Sequence, residues 1–153
     1  MKTRSLHSQI QRIEHLFKQT SALPSADIQA HWAKYLCVLC AGYLENALRE
    51  IANEFIKNKA DPRVVNFAAR SINKIQNPKI HKFVEVLNGF SQEWGRLFKD
   101  YADKQGRGEA IDSIMNNRHN IAHGKDSTIT IARLRSWLDS SLELVEYLEQ
   151  ICQ

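Results

Sequence analysis

The sequence of 153 residues is poor in the residues that interrupt helices, with only three prolines and six glycines. Such sparse breakers favour a helical protein over a sheet protein with many turns. The sequence also has no run of eighteen apolar residues, which argues against a membrane-spanning segment. Its three cysteines are few and odd in number, so they do not indicate a disulfide framework.

The start of the chain lacks the apolar core of a secretory signal, because residues 1–7 lead into polar sequence. We therefore expect a cytoplasmic protein. The formal net charge of +4 is a mild excess that permits a phosphate-bearing partner such as RNA without indicating one. The length fits one domain and leaves no room for a second full one, so we expect residues 1–153 to form a single domain.

Apolar residues recur at three- and four-residue steps through most of the chain, as the buried face of a helix requires. The predicted helices cover residues 5–19, 26–57, 92–101, 109–122 and 131–151, with shorter ones after Asp61-Pro62 and Asn77-Pro78. We expect Ser25 and Thr130 to be N-caps, Gly124 to end a helix, and residues 105–108 to form a flexible loop. No strand is needed, so the fold class is all-α, a bundle of long antiparallel helices with shorter ones in the middle.

The longest predicted helix, residues 26–57, carries two apolar stripes that centre on different sides of its axis. The first stripe contains Ile28, Trp32, Tyr35, Leu36, Leu39 and Tyr43, and the second contains Cys37, Cys40, Leu44, Leu48, Ile51 and Phe55. A helix that is apolar on two sides is expected to be central and covered by neighbours on both. We therefore predict that it is the spine of the fold.

A run of polar residues closes the helix that ends near residue 122, in the segment Arg118-His119-Asn120-Ile121-Ala122-His123-Gly124. Arg118 supplies a permanent cation that suits phosphate, and a histidine can lose and regain a proton near neutral pH. RNA strand scission needs such groups: a base for the ribose 2′-OH proton, an acid for the departing 5′ oxygen, and a cation for the charge on phosphorus. The same residues are also compatible with solvated side chains at a fraying helix end.

The spacing of Arg118 and His123 resembles the R-x4-6-H signature of the HEPN superfamily, and the Asn-Ile-Ala-His-Gly run is similar to many of its members. The context is similar too, because the motif closes a late helix and one long helix follows it. The resemblance implies a HEPN-like helical bundle that acts as a metal-independent endoribonuclease and leaves a 2′,3′-cyclic phosphate. Such families act as toxins in toxin–antitoxin, abortive-infection and related defence systems.

The resemblance also implies roles for individual residues. Arg118 would stabilise the phosphate and His123 would be the acid/base, whereas His119 would orient the phosphate or act as a second base. Asn120 is a weaker candidate. The site would lie between two protomers, because two copies across a two-fold axis supply both an acid and a base, which one Arg–His pair cannot easily do.

The implied partners are RNA, a second copy of the chain and an antitoxin of nucleotidyltransferase type, with no cofactor and no metal ion. A non-catalytic HEPN-like module that binds RNA, a nucleotide or a protein remains the alternative. A helical dimerisation protein with no effect on RNA is a third interpretation.

Metal binding is a rival interpretation of the histidines and cysteines. His119 and His123 are four residues apart and can share a metal on a continuous helix, but zinc normally takes three or four protein ligands. Cys37 and Cys40 have the spacing of a ligand pair. Both fall on an apolar stripe, however, so we interpret them as core residues.

Other polar residues leave alternatives open. Glu45 and Arg49 are spaced as an ordinary ion pair on the long helix; alternatively, Glu45 or Asn46 lines the cleft and orients His123. A set of basic residues in the middle of the chain forms either a solvated face or an RNA-tracking surface. This set contains Lys79, Lys82, Arg96, Lys99, Lys104 and Arg107.

Overall fold

The computed structural model describes residues 3–153, which fold into seven α-helices and one short 3-10 turn. The helices are α1 (Arg4–Gln19), α2 (Ala26–Lys57), α3 (Pro62–Ile72), α4 (Ile80–Phe90), α5 (Gln92–Ala102), α6 (Arg107–Ala122) and α7 (Ile131–Ile151), and the 3-10 turn is Thr20–Ala22. These described residues contain no strand, so the predicted all-α class is confirmed. None of their helices is both long and apolar enough to cross a bilayer. Residues 1 and 2 of the N-terminal segment considered above lie outside the described part.

Local sequence sets the helix boundaries. The side chains of Ser25, Ser91 and Thr130 accept hydrogen bonds from backbone N–H groups in the first turns of α2, α5 and α7. Asp61 caps α3, and Pro62 stands at its first position, where no N–H is needed. The predicted N-caps Ser25 and Thr130 are thus confirmed.

The long helices run antiparallel in pairs, as predicted. Thr3, at the start of α1, donates a hydrogen bond to Glu50 near the end of α2. Arg107, at the start of α6, pairs with Glu143 in the second half of α7. These contacts show that α1 runs opposite to α2, and α6 opposite to α7.

Helix α2 is the spine of the bundle, because it packs against α1, α3, α6 and α7. Its second apolar stripe is buried from Cys37 to Leu48. The expectation that neighbours cover both stripes is wrong in part. Tyr35 keeps 52% and Ile28 38% of its surface exposed, whereas Leu36 and Tyr43 of the same stripe are buried.

The expectation of a flexible loop at residues 105–108 is wrong in its second half. Helix α6 begins at Arg107, and both Arg107 and Gly108 are buried. The Arg107 guanidinium pairs with Glu143 at 2.7 Å and lies 3.9 Å from the ring centroid of Tyr101. These contacts draw the segment into the packed bundle.

Candidate functional site

The candidate site lies at the C-terminal end of α6, which closes in a Schellman-type turn. Gly124, at φ 67°, donates its N–H to the carbonyl of Ile121 at 3.2 Å, and Lys125 donates to that of Asn120 at 2.8 Å. Gly124 therefore ends the helix as predicted, because a left-handed φ is sterically free only for glycine. His123 is left as the C-cap residue with an exposed side chain.

His119 and His123 form an imidazole pair at this helix end. Their ring centroids are 4.4 Å apart and their planes are inclined by 51°. Four residues are slightly more than one helical turn, so both side chains leave α6 on the same side. Both are exposed, and a ligand can reach them from solvent.

Positive charge surrounds the pair. The pKa of His119 lies below its ordinary value, chiefly because His123 is beside it and secondly because of desolvation. The charges of Lys125, Lys79 and Arg118 lower this pKa further. An environment that disfavours an added proton is one that attracts the anionic phosphates of a nucleic acid.

Arg118 is half-buried on α6, next to His119. His123 lies five positions after Arg118, a spacing that on an ideal helix turns two side chains about 140° apart. Its guanidinium forms no hydrogen bond or ion pair with any residue from 3 to 153. The structure thus brings His119, rather than Arg118, into contact with His123 and leaves the guanidinium available to an anion.

Asparagines 117 and 120 secure the turn that follows the motif. Asn120 is half-buried and contributes its backbone carbonyl to the turn. Asn117 was not singled out from the sequence, yet its amide donates to the carbonyl of Ser113 at 2.8 Å and accepts from the Ser127 hydroxyl at 2.9 Å. The second of these bonds holds the loop after α6, and with it Lys125, against the helix.

Glu45 contacts the loop between α3 and α4 rather than His123. Its carboxylate accepts a hydrogen bond of 2.6 Å from the backbone N–H of Asn77 and pairs with Arg49 at 3.1 Å. Arg49 in turn donates to the carbonyl of Ile75 at 2.8 Å. The ion pair expected from the spacing is present, and the same carboxylate holds the loop in place.

That loop ends in Lys79, whose position next to the motif was not predictable from the sequence. The backbone N–H of Ile80, at the start of α4, donates to the Asp112 carboxylate on α6 at 2.9 Å. Pro78, the residue before Lys79, is buried. Because this bond fixes the start of α4 beside α6, the charge of Lys79 reaches His119.

Most of the basic residues in the middle of the chain are neutralised by carboxylates. The ion pairs are Lys82 with Glu85, Arg96 with Glu93 and Asp100, Lys99 with Asp103, and Arg107 with Glu143. A solvated or structural role is therefore favoured for these four cations. Lys79 is the member of the set that lies near the imidazole pair.

Cys37 and Cys40 lie in the core, each with 0% of its surface exposed. Burial raises the pKa of the Cys37 thiol to about 12, and it also raises that of Cys40. Both observations favour the core interpretation of these cysteines. The part of the chain that the structure describes holds no group of three or more side chains arranged as metal ligands.

Comparison with known proteins identifies the family of the chain. A family model described as RiboL-PSP-HEPN matches residues 4–153, which include all seven helices and the segment from Arg118 to His123. No curated protein and no solved structure matches the chain. Because the family match spans nearly the whole sequence, the chain belongs to the RiboL-PSP-HEPN family and thereby to the HEPN superfamily.

Proposed function

We propose that this protein is a metal-independent endoribonuclease that uses the ribose 2′-OH as nucleophile and leaves a 2′,3′-cyclic phosphate. The observation that carries the proposal is the contact between the imidazoles of His119 and His123 in a positively charged, open helix end. Membership of a HEPN family supports this chemistry at this place.

Strand scission by this route needs a base and an acid in complementary protonation states. The charge of His123 disfavours a proton on the neighbouring His119. The lowered pKa of His119 favours its neutral form, so we assign it as the base that takes the 2′-OH proton. His123 is then the acid that protonates the 5′ oxygen, as the 2′ oxygen bonds to phosphorus and the P–O5′ bond breaks.

The cations of the site suit the charge that builds on phosphorus. The Arg118 guanidinium has no carboxylate partner among residues 3–153 and can donate two parallel hydrogen bonds to a phosphate. Lys79 and Lys125 add positive charge near His119. Residues 113–125 contain no aspartate or glutamate that would repel the RNA backbone.

A second copy of the chain would complete the site. Apolar side chains on α2 remain uncovered, at 38% exposure for Ile28, 52% for Tyr35 and 38% for Val38, and α2 packs directly against α6. A two-fold contact through this stripe would place two α6 ends close together. Arg118, which does not contact His123 of its own chain, would then serve the imidazole pair of the other.

A nuclease of this kind would act in the cell as a growth-inhibiting toxin or an antiphage effector, held in check by a nucleotidyltransferase-like antitoxin. Family membership is the support for this role. The competing proposal is a non-catalytic module that binds RNA. The observation that favours it is that His123 contacts His119 and not Arg118.

Cleavage of a labelled single-stranded RNA by the purified protein, with chelator present, tests the proposal. We expect the wild type to produce 2′,3′-cyclic phosphate ends. Arg118→Ala, His119→Ala and His123→Ala should each lower the rate by about 100-fold or more.

His7→Ala is the matched control, because His7 is an exposed histidine on α1 outside the site, and it should cleave as the wild type does. RNA binding without cleavage would favour the non-catalytic module. Cleavage that persists in all three site variants would overturn the assignment of the imidazole pair.

A further inference from the structure

The outward side of α3 carries Phe67, which keeps 78% of its surface exposed, and Val64, which keeps 55%. Phe67 exceeds every other large apolar side chain of residues 3–153 in exposure. Scattered apolar residues on a surface are common and need no partner. The charges around this ring are what identify its partner.

The charged residues around Phe67 favour binding of a polyanion. Arg63 and Arg70 stand four residues before and three after Phe67, so they share its side of α3, and both are exposed. Arg70 forms no ion pair with any described residue, whereas Arg63 contacts Asp61 at 3.1 Å. The sequence contains no acidic residue between Asp61 and Glu85.

Two lysines follow α3 in the loop that leads to the candidate site. Lys74, which follows α3, is exposed, and Lys79 at the end of the same loop acts on His119. The Glu45 carboxylate fixes this loop through the backbone N–H of Asn77. A strand bound along α3 is therefore led towards the imidazole pair.

We infer that the Phe67–Arg70 side of α3 binds single-stranded RNA, with the Phe67 ring stacked on a base and the Arg70 guanidinium on a phosphate. The inference rests on the proposed nuclease function and names the strand form of its substrate. Aromatic rings flanked by cations suit single strands, whose bases are free to stack on them. A duplex hides the base faces and leaves Phe67 without a stacking partner.

Binding of a labelled RNA oligonucleotide with 2′-O-methyl riboses tests this surface. The probe lacks the 2′-OH nucleophile and cannot be cleaved, so fluorescence anisotropy reports affinity whether or not the protein is a nuclease. Phe67→Ala and Phe67→Leu should each weaken binding by about 5-fold or more, because a stacked ring contributes that much per base. Phe67→Trp should retain the affinity, and its indole fluorescence should be quenched by the probe.

Arg70→Ala should reduce the slope of log affinity against log salt by about 1, as the loss of one phosphate contact does. Arg133→Ala, an exposed arginine on α7, is the matched control and should leave the slope unchanged. The probe annealed to its complement should bind the wild type and Phe67→Ala equally.

Equal affinity of Phe67→Ala and the wild type for the single strand would overturn the inference. A change in sedimentation mass with no change in affinity would also overturn it and would identify α3 as a protein–protein contact. If the wild type cleaves RNA but Phe67→Ala binds the probe as tightly as the wild type, the α3 binding surface is refuted and the nuclease function stands. If Phe67→Ala weakens binding but the wild type does not cleave RNA, the α3 binding surface is supported and the nuclease function is refuted.

Discussion

The ring centroids of His119 and His123 lie 4.4 Å apart, so that charge on His123 opposes protonation of His119. The pKa of His119 accordingly lies below its ordinary value of about 6.5. The unfolded chain therefore binds more protons than the folded chain between about pH 6.5 and this lowered pKa. The contribution of His119 to stability is present above that window and is lost as the pH falls through it.

Replacing His123 by glutamine should raise the pKa of His119, because it removes the largest cause of the shift. The rise should be incomplete, since Lys125, Lys79 and Arg118 remain. Titration of the imidazole Cε1–H signals by NMR measures it. His7→Gln is the control, and a His119 pKa that His123→Gln leaves unmoved would contradict the coupling.

Gly124→Ala should destabilise the fold by about 1–2 kcal/mol, because a Cβ disfavours the left-handed φ of 67°. A Cβ at this position would meet no atom within 4 Å, so the effect is one of backbone conformation. Urea denaturation measures the change. Gly89→Ala on α4 has equally open space and a helical backbone, and should be neutral or stabilising by up to about 1 kcal/mol. Equal shifts in the two variants would contradict the conformational argument.

Glu45→Ala should lower the free energy of unfolding by about 1.5–3 kcal/mol, because the backbone N–H of Asn77 and the Arg49 guanidinium lose a charged partner. Since the same loop carries Lys79, the variant should raise KM for RNA more than it lowers kcat. Glu45→Gln retains an acceptor, so its losses of stability and of RNA affinity should be smaller. Glu85→Ala, which breaks an exposed ion pair, should change stability by under about 1 kcal/mol. A Glu45→Ala protein as stable as Glu85→Ala would refute the anchoring role.

The spacing of apolar residues located the helices, because each helix buries one apolar stripe. The spacing does not indicate which part of the protein covers that stripe. Both apolar stripes of α2 were visible in the sequence, but this chain buries the second from Cys37 to Ile51 and leaves Ile28 and Tyr35 of the first exposed. The loop expected at residues 105–108 failed for a related reason. Its glycines suggested a break, whereas the pairing of Arg107 with Glu143, far along the chain, draws two of its residues into α6.

The candidate site was predictable where it follows from local sequence. The motif gave Arg118, His119 and His123, and Gly124 gave the helix end that exposes the last of them. The contribution of Lys79 was not predictable, because it depends on packing of α4 against α6. Neither segment alone carries a signal of that contact.

Tyr35→Glu should convert the proposed homodimer into a monomer, because an unpaired carboxylate would be buried in the contact. Helical circular dichroism should be retained, since Tyr35 is 52% exposed in the isolated chain. Analytical ultracentrifugation measures the mass. Val64→Glu, at a similarly exposed apolar residue on α3, should leave the mass unchanged. A wild type that is monomeric at all concentrations and fully active would contradict the shared site.

Mixing two inactive variants distinguishes a site shared between protomers from one built within a protomer. If Arg118 serves the imidazole pair of the other chain, an Arg118→Ala/His123→Ala heterodimer contains one protomer with an intact arginine facing one with an intact pair. That heterodimer should recover cleavage at one of its two sites, and a random mixture of subunits should recover about a quarter of the wild-type rate. If both groups act within one chain, every protomer in the mixture lacks an essential group and no activity returns. Recovery should disappear when both variants also carry Tyr35→Glu, because heterodimers then cannot form.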